Sequence, residues 1–372
     1  MTIDCDFLVI GAGVSGAAAA WELAALGSTV LLEMEDQPGY HSTGRSAAFW
    51  SESYGGPLIQ PLTSASGRWL ADPPADFAEA PFLSPRGAIH LADAGGAERL
   101  EALAAEFAGS AVPLEPMDRI ALEAMLPGLR LGWDRGLYEP TCADIDVASL
   151  HAAYLKRARA RGAVLRTGAR VERAERRNGR WLIETGAGDF EADILVNAAG
   201  AWADAVARAA AERPLGIQPY RRTLSQLRID PPVPADLPLV IDARERFYFK
   251  PEAGGRLWLS PHDETACEPS DCAAEEYDVA LAIHGMQQAV DWRVERVERS
   301  WAGLRSFAPD RLPVFGFAPG RRDFFWCAGQ GGFGIQTAPA SAKLAAAQLL
   351  GREPDALVGA IDPTLYLATR FG

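Results

Sequence analysis

A strand–glycine turn–helix–strand unit at residues 5–33, a hairpin-punctuated run at 170–196 and a strand-rich, proline-broken stretch from 214 to about 326 together predict an α/β fold. One domain is a Rossmann-like parallel sheet extended by a β-meander, and the other is a β-rich α+β domain. The expected boundaries are 1–75, 146–212 and 325–372 for the first, discontinuous domain, and 76–145 and 213–324 for the second. A chain of 372 residues suits two units of about 100–200 residues each.

Taken in order, residues 7–10 are an apolar strand that runs into Gly11-Ala12-Gly13-Val14-Ser15-Gly16. A small-residue helix over 17–25 follows, stopped at Gly27, and a second strand covers 29–33. Residues 34–45 are a polar loop, after which 46–48 read as the opening of another helix. Prolines at 73, 74, 81 and 85 forbid regular helix and mark the passage between domains. Asp146 is placed to cap an amphipathic helix over 147–161, with Gly162 beyond its end, returning the chain to the first domain. In the meander, Asn178-Gly179 supplies a primed hairpin turn and Gly186-Ala187-Gly188 a second reversal. Its last strand enters Asn197-Ala198-Ala199-Gly200, a tight turn suited to a ligand. Helical periodicity in the second domain is confined to about 277–290. The chain then reaches Gly329-Gln330-Gly331-Gly332-Phe333-Gly334 and an alanine-rich helix over 335–350.

The charge balance, 36 basic against 49 acidic side chains, gives −13 and would repel a phosphate backbone, so no nucleic-acid partner is expected. Five cysteines without zinc-type spacing suit a reducing cytoplasm and imply no metal. The stretch 7–21 holds three glycines and has Asp4 and Asp6 before it, unlike a signal peptide. No run reaches the ~18 apolar residues of a membrane span.

The six residues from Gly11 follow a strand and open a helix, as a dinucleotide site requires. Gly11 permits the turn, Gly13 lets backbone approach a pyrophosphate, and Gly16 lets helix and strand pack closely. Glu33, at the end of the second strand, would accept from a ribose diol and repel a 2′-phosphate, which disfavours NADP. Both NAD and FAD satisfy these residues. The glycines at 331, 332 and 334 favour a flavin, because a second helix N-terminus there would stabilise negative charge on an isoalloxazine ring.

Five stretches carry a family resemblance: residues 9–16, Pro38-Gly39-Tyr40-His41-Ser42-Thr43-Gly44-Arg45-Ser46-Ala47-Ala48, Val196-Asn197-Ala198-Ala199-Gly200-Ala201-Trp202, Trp301-Ala302-Gly303-Leu304-Arg305-Ser306-Phe307, and Gln330-Gly331-Gly332-Phe333-Gly334-Ile335-Gln336-Thr337. In order and over nearly the whole chain they resemble the D-amino-acid oxidase superfamily, and within it the D-arginine dehydrogenase group. The resemblance implies non-covalent FAD and oxidation of a D-amino acid to its imino acid, which water hydrolyses to a 2-oxo acid and ammonia. Electrons then pass to oxygen, a quinone or another carrier. It also implies that Arg222 and Arg305 hold the substrate carboxylate, that Tyr54 and Tyr248 line the pocket, and that Gly332 lies beside the amine. Implied cofactor contacts are Gly11, Gly13, Val14, Ser15, Gly16, Glu33, the run His41, Ser42, Thr43, Gly44, Arg45, Ser46, Ala47, Ala48, then Val171, Ala199, Gly200, Trp202, Gly303, Arg305, Gly331, Gly332, Phe333, Gly334, Ile335 and Gln336. A guanidinium grips a carboxylate through two parallel hydrogen bonds and so fixes the α-carbon, which a lysine would not.

Two departures bear on specificity. The arginine-oxidising relatives carry a glutamate just after a Ser-Pro-Arg run, and here the aligned position is Ala88; where they have a histidine, this chain has Phe49. A guanidinium without a partner there would cost several kcal/mol in desolvation. Neutral or hydrophobic D-amino acids are therefore expected, with Glu52 the nearest substitute acid. His90, His151, His262 and His284 stand singly and are read as structural. The alternatives are oxidation of glycine, sarcosine or another secondary amine, an NAD-linked dehydrogenase, and a flavoprotein without enzymatic activity.

Overall fold

The computed structural model describes residues 2–372. Ile3–Ile10 lies at the centre of the first sheet, parallel to Thr29–Leu32 on one side and to Gly188–Asn197 on the other. Leu8 and Val9 on opposite faces are both fully buried, as a central parallel strand demands. Val164–Arg166 extends one edge, and Val171–Arg177 with Arg180–Thr185 forms the meander on the other. Gly188–Asn197 pairs with Arg180–Thr185 through its first half and with Phe324–Ala328 through its second. Helices Val14–Leu23, Val147–Ala160 and Ala338–Leu350 cover one face. Asp146 caps the second of these by accepting from the Ser149 amide at 2.9 Å.

The second sheet has ten strands, and its spine is the antiparallel pair Gln218–Asp230 and Arg293–Phe307. Arg256–Ser260, Tyr248–Glu252, Leu239–Asp242, Ala88–Ala92 and Arg135–Glu139 follow in spatial order. Phe247, Phe249, Leu257, Leu259 and Met286 fill the core beneath it, with helix Glu276–Ala289 packed on the outside. A small sheet of Phe49–Trp50, Ala143–Ile145 and Leu83–Pro85 joins the two halves of the molecule. No helix among the described residues is long and apolar enough to cross a membrane.

Four expectations need correction. Residues 46–48 do not open a helix: Ala48 sits at φ +56°, and the chain passes directly into Phe49–Trp50. The final helix begins at Ala338, with Pro339 in its first turn, rather than at 335. Gln330–Gly331 pairs with Ser306 and Phe307 instead, so the glycine run is a strand end and turn, and the helix dipole starts a turn later. Val314–Phe317, assigned from sequence to the second domain, pairs with Phe324–Ala328 and belongs to the first sheet. Helices Gln60–Ala71, Ala97–Phe107 and Arg119–Met125 have no counterpart in the sequence reading.

Candidate active site

Of the candidate site residues singled out from sequence, all but Gly16, Gly44, Ala48, Glu52 and Ala88 line one continuous cavity of about 1230 Å³. Such a volume exceeds the ~300–1,000 Å³ that a single small ligand occupies, leaving room for a dinucleotide and a substrate together.

At one end, Gly11 turns the chain at φ +99°, where a Cβ would come within 2.5 Å of the Ala198 carbonyl oxygen. Gly16 packs against Gly11, so its role is close approach of helix and strand rather than contact with a ligand. Glu33 accepts from the Ala12 and Glu35 amides, each at 3.0 Å. Burial pushes its carboxyl up while those amides oppose the shift, and its remaining lone pairs suit a ribose diol. Thr43 Oγ1 accepts from the Val14 amide at 3.0 Å, docking the loop that bears His41–Ala48 on the helix N-terminus. Ser42 Oγ donates to the Leu304 carbonyl at 2.6 Å, and Arg45 Nη1 to that of Ala302 at 3.0 Å, so the loop is also tied to the second sheet. Gly44 makes a turn within this loop, its amide donating to the Gly39 carbonyl at 2.8 Å. His41 meets Glu35 at 2.9 Å. His151 has the structural place expected of it: its Nε2 lies 2.8 Å from the Ala12 carbonyl beneath the glycine turn, outside the cavity lining.

At the other end, the register of the second sheet brings the two arginines together. Arg222 is paired with Gly303, so Arg305, two residues on, projects from the same face as its diagonal neighbour. Arg305 Nη1 donates to the Tyr54 hydroxyl at 2.7 Å. Arg222 Nε donates to the Asp263 carbonyl at 2.8 Å. Arg222 Nη2 and Arg305 Nε are both buried without a hydrogen-bond partner. Burial works against charge on Arg305, but Tyr54 and Glu264 outweigh it and keep the group cationic. Aromatic rings close the pocket: Phe49 lies 5.5 Å from Tyr54 and 6.0 Å from Tyr248, centroid to centroid. Gly332 is required where it stands, since a side chain there would strike the Tyr54 hydroxyl.

His262, read from sequence as structural, instead lines the cavity and joins this cluster, together with Glu264 and Arg311, which sequence reasoning did not single out. Glu264 pairs with Arg305, accepts from Arg311 Nη2 at 2.8 Å and lies 3.8 Å from Arg222. His262 stands 5.4 Å from the Tyr248 ring, and burial, reinforced by the charges of Arg222 and Arg305, holds it well below the ordinary imidazole range. A lone histidine or glutamate leaves no periodic signal in sequence.

Ala88 does not line the cavity. It is fully buried on the second sheet, directly opposite Glu139, which is also fully buried. The Glu139 carboxylate accepts from Ser51 Oγ at 2.9 Å, Ser53 Oγ at 2.5 Å and the Glu52 amide at 2.6 Å. Burial disfavours its charge, yet His90 and the two serines more than offset this and hold its carboxyl below the usual range. Glu52 accepts from Ser64 and lies outside the cavity lining, so it offers no substitute acid.

A family model for FAD dependent oxidoreductases, DAO, matches residues 6–348. Glycine oxidase of Pseudomonas aeruginosa is 28% identical over 385 residues, spanning 96% of this chain and 97% of that protein. The crystal structure of glycine oxidase from Geobacillus kaustophilus superimposes with a TM-score of 0.86 at 24% identity, covering 99% of each chain. That of L-proline dehydrogenase from P. horikoshii gives 0.83 at 20% identity over 98% of each. The expected fold class is the observed one. Kinship with the D-arginine dehydrogenase group in particular has no counterpart among these three.

Proposed function

The chain belongs to the DAO family of FAD dependent oxidoreductases, and from that premise we propose that it oxidises the α-carbon–nitrogen bond of a D-amino acid with a neutral side chain. The observation that supports this most directly is the pair of buried guanidiniums, each with an unpartnered N–H, in the cavity shared with the dinucleotide cradle. Buried donors of this kind need acceptors, and a carboxylate offers two in the geometry of a guanidinium fork.

The residues present fit FAD: Glu33 for the ribose, the Gly11–Gly13 turn for the pyrophosphate, and the turn at Gly331–Ile335 for the ring system. Bound FAD supplies the two-electron acceptor for the hydride leaving the α-carbon. Arg222 and Arg305 fix the carboxylate and thereby the direction of the α-hydrogen. Tyr54 is held by Arg305. Burial raises the Tyr248 hydroxyl, against the charge of Arg222, so this tyrosine stays protonated and donates rather than acting as a base. His262, kept neutral, offers a lone pair and no added charge. Glu139, behind His90 at the cavity wall, is already saturated by donors and offers no partner for a cation, which supports a neutral substrate side chain.

Anaerobic titration of the holoenzyme with D- and L-amino acids, followed by flavin absorbance, tests the proposal. D-leucine, D-methionine or D-phenylalanine should bleach the flavin with a higher specificity constant than D-arginine or D-lysine. The reverse order refutes the neutral-substrate reading. Oxidation of glycine or sarcosine is the second reading, favoured by the 28% identity to glycine oxidase along the whole chain; bleaching by glycine alone would decide for it.

A further inference from the structure

His90 belongs to a part of the cavity that carboxylate binding and oxidation leave without a role. Tyr248, Ile241 and His90 are directly paired across three adjacent strands, so their side chains stand in one row on one face of the sheet. All three line the cavity. The row begins at the aromatic ring beside Arg222 and ends at His90, two strand spacings or about 10 Å away. A side chain leaving an α-carbon held near Tyr248 and directed away from the arginines runs along it, over Ile241.

The row ends in a polar group fixed from behind. His90 Nε2 lies 3.3 Å from Ser53 Oγ and 3.7 Å from Glu139 Oε2. Ser53 Oγ gives its one proton to Glu139 and can therefore only accept from His90 Nε2, which in the neutral ring leaves Nδ1 with a lone pair. Nδ1 has no hydrogen-bond partner among the described residues and is not sealed from the cavity. Glu139 itself is fully buried and enclosed by Ser51, Ser53 and the Glu52 amide.

Resting on the reading that Arg222 and Arg305 hold an amino acid's carboxylate, we propose that His90, positioned by Glu139 and Ser53, recognises the end of the substrate's side chain, and that the preferred substrate is a D-amino acid ending in a carboxamide. The carboxamide of glutamine lies about 5 Å from its α-carbon when extended, and a further ~3 Å hydrogen bond brings it to the imidazole at the end of the row. Its N–H donates to Nδ1. An apolar terminus of equal length would leave Nδ1 unpaired, and a guanidinium or ammonium at the end of the row would meet a Glu139 already taken up by its own donors.

The test compares D-glutamine with D-methionine, which matches it in length but ends in an apolar group, as reductants of the holoenzyme under anaerobic conditions. Wild type should favour D-glutamine by about tenfold or more in specificity constant, the scale of a hydrogen bond whose loss strands a buried partner. His90→Leu should reduce that ratio about tenfold by slowing D-glutamine while D-methionine stays within threefold. His90→Asn, which keeps a polar atom near the Nδ1 position, should retain most of the preference, and flavin content and melting temperature report whether each variant is folded. A wild-type preference for D-methionine, or a His90→Leu variant that slows both substrates equally, overturns this inference and leaves the proposed function intact. If neither they nor any other amino acid bleaches the flavin, the carboxylate-clamp reading falls and this inference falls with it.

Discussion

Replacing Arg305 with lysine keeps the charge and removes the planar fork. In the wild type Arg305 donates through Nη1 to Tyr54 at 2.7 Å, pairs through Nη2 with Glu264 and has Nε free. A lysine ammonium reaches one of these partners at a time and cannot present two parallel donors to a carboxylate. One charge-assisted hydrogen bond in a buried setting is worth about 1.5–3 kcal/mol, which corresponds to a loss of about ten- to 150-fold in the specificity constant for flavin reduction. Binding of a simple carboxylate such as benzoate, read from the perturbed flavin spectrum, should weaken by a similar factor. Arg311, which shares Glu264 but is half-exposed, is the control: Arg311→Lys should cost less than about fivefold, the range of an exposed ion pair. If Arg305→Lys retains activity within threefold of wild type at full flavin content, the two-arginine clamp is wrong.

Three other outcomes follow from the same geometry. Gly11→Ala forces a side chain into φ +99° against the Ala198 carbonyl, so the purified protein should lose most of its flavin absorbance relative to that at 280 nm; full retention would remove the turn from the cofactor site. Ala88→Glu, which restores the glutamate of the arginine-oxidising relatives, should not confer D-arginine oxidation. It places a second buried carboxylate opposite Glu139 and should cost about 3–5 kcal/mol, read as a melting temperature lower by several degrees, whereas a stable variant that oxidises D-arginine would contradict the placement of Ala88. His151 and His262 are both held below the ordinary imidazole pKa of 6.5 by burial, so the unfolded chain binds protons that the native state does not. Stability should therefore be full above pH 6.5 and decline as the pH falls below it. His262→Gln should flatten that decline in a thermal-shift series from pH 8 to pH 5, and an unchanged slope would show that His262 does not titrate on unfolding.

The cofactor half of the site was legible because its determinants are local. Gly11, Gly13, Gly16 and Glu33 act within one strand–helix–strand unit, where continuous apolar strands and a glycine at the positive φ of the turn leave few other readings. The loop around Thr43 and Arg45 is likewise a contiguous run. Errors in this half fell where a pairing partner lies far away in sequence. Gly331 could be taken for a helix N-terminus until Phe307 was seen to pair with Gln330, and Val314–Phe317 has no mark of its own that assigns it to the first sheet.

The substrate half was decided by register. Nothing near Arg222 in the chain distinguishes it from Arg221, yet Arg221 turns to Glu275 and Asp278 while Arg222 enters the cavity, because successive residues of a strand face opposite sides. Ala88 was located by alignment, but only the pairing of Ala88 with Glu139 shows the position to be sealed, and only the row through Tyr248 and Ile241 brings His90 to the cavity wall. Composition, turn residues and short-range hydrogen bonding thus determined the fold class and the dinucleotide cradle on their own. Which single side chains enter the cavity beside that cradle depended on the pairing of strands distant in sequence, since one step of register sends every side chain of a strand to the other face.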